Sequence, residues 1–268
     1  GEALETTKIH SVAGILPPHS SLVSKRPFRA PHHTATCAAM AGGGSGNIRP
    51  GEVSLAHNGV LFLDELPEYS KQVTEVLRQP LEDGSITVTR MSGSATYPSR
   101  FTLVCAMNPC KCGYYGHPTK KCTCSPQSRQ QYMSRVSGPL MDRIDMHVEV
   151  RSLTYDELAD KKPGESSAVI RERVRAAREF ALRRYAEGGD HDITCNAALT
   201  SPQVRKYCAL GEGAAELLRR AYDSLGLSGR GYDRLLRVAR TIADLAGSED
   251  ITEEHILEAV SLRRLDRG

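Results

Sequence analysis

Five consecutive residues, Leu61-Phe62-Leu63-Asp64-Glu65, join an apolar run to two acids. A run of this kind reads as a strand buried on both faces of a parallel sheet, and its C-terminal edge is where α/β folds bind ligands. In nucleotide-hydrolysing enzymes the first acid at such an edge holds Mg²⁺ through water, and the second activates the attacking water. The alternative is a strand that simply ends at solvent. A second apolar run, Phe101 to Met107, ends at Asn108. An amide beside the two acids can hold a water or a γ-phosphate, although Asn after a strand is also a common turn residue. Asp142-Arg143-Ile144-Asp145 sets an arginine just before a third run. Arg143 there serves either as an arginine finger towards a neighbouring subunit or as one half of a surface salt bridge. Arg230, in Ser228-Gly229-Arg230-Gly231-Tyr232, stands at a helix start, able to fold over a nucleotide.

Four of the eight cysteines fall in one window, Cys110-Lys111-Cys112, nine residues, then Cys122-Thr123-Cys124. Four thiolates suit a closed, tetrahedral structural Zn²⁺ site, and Gly113 and Gly116 give the chain room to turn. The spacing inside each pair is tighter than usual for zinc, so unliganded thiols or disulfides stay open as alternatives. His117 is either a substitute ligand or a plain loop residue. His32 and His33 are adjacent and cannot both face one metal from a regular element, so they read as structural or pore-loop residues. Clustered thiols in a chain without a signal segment point to a reducing, cytoplasmic compartment.

These residues need a scaffold. The chain has 268 residues, 40% apolar and 25% charged, which excludes a disordered chain, a fibre or a small disulfide-stapled module. Its apolar runs are too short to cross a bilayer, so no membrane is expected. A net charge of +3 does not demand nucleic acid but leaves room for local basic patches. With no Trp and 5% aromatic residues, a stacking platform for bases is not expected. Glu2 to Ala13 predicts a helix stopped by Gly14, Pro17 and Pro18. Arg26 to Asn58, with Gly42 to Gly46, reads as a long functional or inserted loop. Val73, Val76, Leu77 and Leu81 form a helical stripe, and Ile86 to Ser99 a hairpin around Ser92 and Gly93. Ile144, Met146, Val148 and Val150 alternate as a third strand.

From Ser166 onward the pattern is helical. The stripes are Ile170, Val174, Ala177, Ala181 and Leu235, Val238, Ile242, Leu245, with Ser201, Ser228 and Thr252 as N-caps. Six arginines between Arg171 and Arg184 make either a phosphate-binding helix or a solvated face balanced by Glu172 and Glu179. The expected layout is an α/β parallel-sheet domain over residues 1–154 and a helical linker and domain over 155–268, joined by the polar stretch Tyr155 to Ser167.

Longer blocks sharpen this reading. Phe28-Arg29-Ala30-Pro31-His32-His33, Arg49-Pro50-Gly51-Glu52-Val53-Ser54-Leu55-Ala56-His57 and Leu63-Asp64-Glu65-Leu66-Pro67-Glu68 are the first three. Ser137-Gly138-Pro139-Leu140-Met141-Asp142-Arg143-Ile144-Asp145 and Arg237-Val238-Ala239-Arg240-Thr241-Ile242-Ala243-Asp244-Leu245 complete the set. Over nearly its whole length the chain resembles the magnesium-chelatase-like ComM/YifB branch of the AAA+ ATPases. The resemblance implies an AAA+ nucleotide-binding domain followed by a helical lid, with ATP and Mg²⁺ as ligands, the latter through Asp64. It implies that Asp64 and Glu65 are Walker B acids, Asn108 sensor 1, Arg143 the trans arginine finger with Arg135 second, and Arg230 sensor 2. It makes the Gly-rich region an insertion in the second helix and the Ile86 to Ser99 hairpin a pre-sensor hairpin, with Arg90 near a pore as a DNA contact. The implied whole is a homo-oligomeric ring, a hexamer, driven by ATP and acting on DNA in branch migration.

One departure matters. The family's G-x-x-x-x-G-K-[ST] loop supplies the phosphate cradle, the lysine and the Mg²⁺-binding hydroxyl. No Gly-Lys pair occurs in these 268 residues. The expectation is that this loop and a central strand lie upstream of Gly1, that the chain is a fragment, and that alone it neither binds ATP well nor hydrolyses it. Two other functions stand beside the DNA motor: a chelatase motor subunit driving Mg²⁺ into a porphyrin through a partner complex, and a nucleotide-independent module whose hairpin and cysteine loop bind nucleic acid.

Overall fold

The computed structural model describes residues 1–16, 21–44, 47–91, 93–159 and 164–263. Of the residues singled out above, Pro17, Pro18, Ser45, Gly46 and Ser92 lie outside those described. The chain divides into two compact units, Gly1–Arg143 and Ile144–Gly268.

The first unit is mixed α/β. Its strands are β1 (Phe28–Arg29), β2 (Gly42–Gly43), β3 (Arg49–Pro50), β4 (Val60–Leu63), β5 (Ser85–Arg90), β6 (Gly93–Pro98) and β7 (Thr102–Cys105). β1, β4 and β7 form a parallel sheet in that order, with Leu61 opposite Leu103 and Leu63 opposite Cys105. Leu61 and Leu63 are fully buried and pack into a core with Met40, Val73, Leu77 and Leu140. The other face of β4 differs from the expected double burial. Val60 and Phe62 are only half-buried, and Phe62 stacks on the exposed ring of Phe28 at 6.1 Å.

Gly59 is what lets β1 come close. A Cβ there would lie 2.0 Å from the Pro27 carbonyl oxygen, which instead accepts the Val60 N–H at 2.8 Å. The N-terminal helix Glu2–Ala13 ends at Gly14 with φ 74°, as expected. It is tied down through buried His57, whose Nε2 meets Glu5 at 3.2 Å while Nδ1 accepts the Arg100 N–H at 3.1 Å.

The segment 26–58 is not one long loop. Besides β1 it holds the short helices Cys37–Ala41 and Glu52–Leu55 and the antiparallel pair β2–β3. Its Gly-rich strand is fastened to the β5–β6 hairpin, because Arg90 donates to the Gly42 carbonyl at 3.0 Å and Tyr97 to the Ile48 carbonyl at 2.6 Å.

The second unit is helical, with main helices Ser167–Glu187, Ser201–Tyr207, Glu212–Leu225, Gly229–Leu245 and Glu253–Ser261. Ser228 and Thr252 are N-caps as read, whereas the cap before Pro202 is Thr200, whose partner in a capping box is Gln203. Two stripes shift. Leu235, Leu236, Ala239 and Ala243 form the buried face of their helix. Ile170 and Val174 are 40% and 43% exposed, and only Ala181 and Tyr185 of theirs are buried.

The third strand does not form. Met146, Val148 and Val150 are 52%, 66% and 88% exposed, while His147 between them is buried. Alternation needs a ladder to become a strand, and this backbone is engaged otherwise. The His147 N–H goes to the Leu262 carbonyl at 2.5 Å, and Arg263 donates to the Ile144 carbonyl at 3.1 Å.

A buried ionic network fixes this unit. Asp244 receives Arg184 at 2.6 and 2.9 Å, Arg240 at 3.1 Å and the Asn196 amide at 2.7 Å. Asp244 and Arg240 are each 2% exposed, and burial pulls the Arg240 guanidinium below its usual pKa. Removing one partner of such a pair leaves the other uncompensated. Asp244→Ala is therefore expected to lower stability in urea by roughly 3–5 kcal/mol. Glu172→Ala, which breaks an exposed pair with Arg175, is expected to leave the midpoint unchanged in the same circular-dichroism titration.

Candidate functional site

The parallel register continues past the formal strand ends. The Ala106 N–H donates to the Leu63 carbonyl at 2.9 Å, and the Leu66 N–H donates to the Ala106 carbonyl at 3.0 Å. This sets Asp64 and Glu65 beside Ala106 at the C-terminal edge of β4 and β7, with Asn108 two residues further along the second strand. All three polar residues are exposed there. One Asp64 carboxylate oxygen accepts the Glu65 N–H at 2.9 Å. Its other oxygen does not take part in that bond. Glu65 has φ 53°, a left-handed conformation uncommon for a residue with a side chain. That backbone turns the chain sharply into Leu66–Glu68, so the second acid does not follow the strand direction of the first.

Three neighbours complete this edge. His33 Nδ1 lies 3.0 Å from Glu65 Oε2, and its ring packs at a tilt of 35° against His32, 4.1 Å between centroids. Tyr69 donates its hydroxyl to the Pro31 carbonyl at 2.5 Å, and burial, followed by the charges of Cys105, Asp64 and Glu65, pushes it up to about 12. It remains a neutral donor that ties the residues after β1 to the acids. Arg135 donates to Glu68 at 3.0 Å, so this residue lies against the turn that follows Glu65. Cys105 is pushed up to about 12 by burial and is an unreactive core thiol.

The other predicted residues lie elsewhere. Arg143 pairs with Glu82 and donates to the Pro139 carbonyl at 2.7 Å, with its side chain 10% exposed. The salt-bridge reading thus describes its geometry in this chain. Arg90 is held by the Thr89 and Gly42 carbonyls, beside Met91, which projects fully into solvent at the hairpin turn. Arg230 is exposed in the second unit and lines an open cleft with Ser201, Arg205 and Asp233. On the helix Ser167–Glu187, Arg173 pairs with Glu165 and Arg175 with Glu172, which supports the solvated-face alternative.

The four cysteines converge. All eight cysteines are unbridged, and Cys110, Cys112, Cys122 and Cys124 bring their sulfurs within 4.8 Å of one another. Three of the sulfur–sulfur distances are 3.4, 3.7 and 3.6 Å. Metal–sulfur bonds of about 2.3 Å in a tetrahedron set the sulfurs about 3.8 Å apart, so the donor set fits Zn²⁺ in number, chemistry and size. Gly113 and Gly116 both adopt φ 78°, supplying the two left-handed turns between the cysteine pairs. Backbone N–H groups of Tyr114 and Thr123 hold the Cys112 thiol down at about 5, whereas Cys122 is raised by burial and by the Cys112 and Cys110 thiols. Four thiols this close cannot all ionise without a cation between them. His117 does not converge with the four sulfurs, and its Nδ1 accepts the Thr119 and Lys120 N–H groups at 3.2 and 3.1 Å.

The family models for the magnesium chelatase subunit ChlI and for its C-terminal region match residues 1–158 and 164–263. The chain belongs to the magnesium chelatase ChlI family. Among ChlI-family relatives, the uncharacterised protein YifB of Escherichia coli K12 is 45% identical over 272 residues, covering 99% of this chain and 51% of YifB. The competence protein ComM of Haemophilus influenzae is 43% identical over 268 residues, covering 99% and 50%. The magnesium-chelatase 38 kDa subunit of Acidiphilium rubrum is 26% identical over 213 residues, covering 78% and 52%. The chain thus spans about half the length of the curated relatives it matches. No helix among the described residues is long and apolar enough to cross a membrane.

Two features went unread in the sequence. His33 meets Glu65 only in three dimensions. The second was there to find: between Asp83 and Asp142 no Asp or Glu occurs, while seven Lys and Arg do. A whole-chain charge of +3 averages this basic block away.

The metal geometry gives a direct expectation. Purified under reducing conditions, the chain is expected to carry one Zn²⁺ by elemental analysis, and Cys112→Ser to lose it. Well-folded wild-type protein without metal would refute the site.

Proposed function

We propose that this chain carries the acidic edge of an ATP-hydrolysing site in an AAA+ ring motor that acts on DNA. The observation that supports the reading is the backbone register that sets Asp64 and Glu65 beside Ala106, two residues before Asn108, at one parallel strand edge. Asp64, with one oxygen anchored on the Glu65 N–H, would hold Mg²⁺, which neutralises charge on the phosphoryl group. Glu65 takes the proton of the attacking water, whose oxygen forms the new bond to the γ-phosphorus. The bond to the bridging oxygen breaks, and its electron pair leaves on ADP. Asn108 donates a hydrogen bond to the water or to a γ-phosphate oxygen. His33 fixes the Glu65 carboxylate.

The phosphate lysine of such a site comes from residues beyond these 268, which hold no Gly-Lys pair. The length of the relatives leaves room for it. In this reading residues 1–154 are the nucleotide-binding domain and 155–268 the linker and lid, with Arg230 keeping the sensor 2 role that the resemblance implies. Arg143 acts on a neighbour's phosphate in a hexameric ring and must leave Glu82 to do so; Arg135 is the second candidate. The Cys₄ loop holds structural Zn²⁺, in keeping with a reducing cytoplasm. DNA is supported by the acid-free block from Gly84 to Met141 and by Arg90 and Met91 at a protruding hairpin. The family name favours a second reading, a motor subunit for Mg²⁺ insertion into a porphyrin, but the greater identity and coverage lie with YifB and ComM.

In the full-length protein, ATP turnover is expected to rise on adding forked DNA. Glu65→Gln is expected to lower it at least roughly 100-fold while nucleotide binding persists. The 268 residues alone, run as a control, are expected to show no turnover. Turnover indifferent to DNA would move the assignment to the chelatase type, and an unchanged Glu65→Gln rate would remove Glu65 from the mechanism.

A further inference from the structure

The cysteine loop has an outer surface that metal binding alone does not explain. Tyr114 and Tyr115 are 39% and 53% exposed at its tip. The Lys120 ammonium stands 4.9 Å from the Tyr114 ring centre, and the Arg129 guanidinium 4.4 Å from that of Tyr115. Arg129 is itself fixed to the loop by a 2.9 Å bond to the Cys124 carbonyl. Lys111 and Lys121 are exposed on the same loop. Each ring thus has a cation on it, and no carboxylate side chain in the surrounding sequence offsets these charges. Four thiolates on one Zn²⁺ leave two negative charges, and Lys111, Lys120, Lys121 and Arg129 outnumber them.

Alternating cations and exposed rings suit a chain of phosphates that carries flat, unstacked bases. A duplex keeps its bases inside and offers the rings nothing to stack on. We propose that the Cys110–Cys124 loop is a contact site for single-stranded nucleic acid, with Tyr114 and Tyr115 stacking on bases and Lys111, Lys120, Lys121 and Arg129 on phosphates. This rests on the DNA-acting reading and adds the site and the strand state. Whole-chain aromatic content argued against a stacking platform, but the pair here is local. The loop begins two residues after Asn108, so it is close along the chain to the residue proposed to face the γ-phosphate.

The test uses full-length, zinc-loaded protein without nucleotide, and fluorescence anisotropy on labelled oligothymidine and on a duplex of equal length. Wild type is expected to bind oligothymidine more tightly. Replacing both tyrosines, Tyr114→Ala with Tyr115→Ala, is expected to weaken that binding at least about 10-fold with the salt dependence unchanged. Lys120→Glu with Lys121→Glu is expected to weaken it and to lower the log–log salt slope by about 1.4. Zinc content and circular dichroism check that both variants are folded. Wild-type affinity in both folded, zinc-loaded variants would overturn the proposal and leave the motor reading intact. Loss of oligothymidine binding in them beside a Glu65→Gln rate equal to wild type would instead sink the motor reading and keep this site.

Discussion

The pairing of β4 with β7 is the constraint on which the rest of the first unit depends. Both strands run the same way, so their chemistry-bearing residues emerge at the same edge. The register of Leu63 opposite Cys105 then sets Asp64 beside Ala106. A shift of one residue would turn Leu61 and Leu63 out of the core and Phe62 into it, so the hydrophobic effect itself enforces the alignment of the acids. Two more backbone bonds, through Ala106, carry that alignment past the strand ends. Gly59 contributes from the other end of β4 by letting β1 approach, which brings His33 within reach of Glu65.

The same strand edge organises two kinds of chemistry. On β4, an uncommon backbone conformation at Glu65 gives the adjacent acids different partners: one is anchored by a backbone N–H, the other is held by a histidine. On β7, the chain leaves Asn108 and within two residues enters the cysteine loop. Cys110 is fully buried, whereas the tyrosines a few residues on are exposed. A metal at the base of that loop would give a short, otherwise unsupported segment a rigid root. This is how a loop with no strands or helices among its residues 110–124 can present a defined surface.

What was legible in the sequence was whatever local physics decides. The apolar run into Asp64-Glu65, the Gly14 helix stop, the caps at Ser228 and Thr252 and the four clustered cysteines each carry their meaning within a few residues. The failures share a cause as well. Ile144 to Val150 alternates, yet its backbone is taken up by Leu262 and Arg263, residues far along the chain. Ile170 and Val174 have helical spacing but no core to meet, while the core of the second unit centres on Leu235, Ala239 and Ala243. The contact of His33 with Glu65 and the folding-back of Arg143 onto Glu82 depend on tertiary placement and have no local signal.

In the proposed function Glu65 and Asn108 act on one nucleotide from the ends of two paired strands. A double-mutant cycle on single-turnover ATP hydrolysis by the full-length protein tests it most directly. If the two residues serve one reacting group, Asn108→Ala slows the wild type strongly and the Glu65→Gln background far less. Effects that multiply independently would show that the two residues do not share a site, and the account built on the β4–β7 edge would fall.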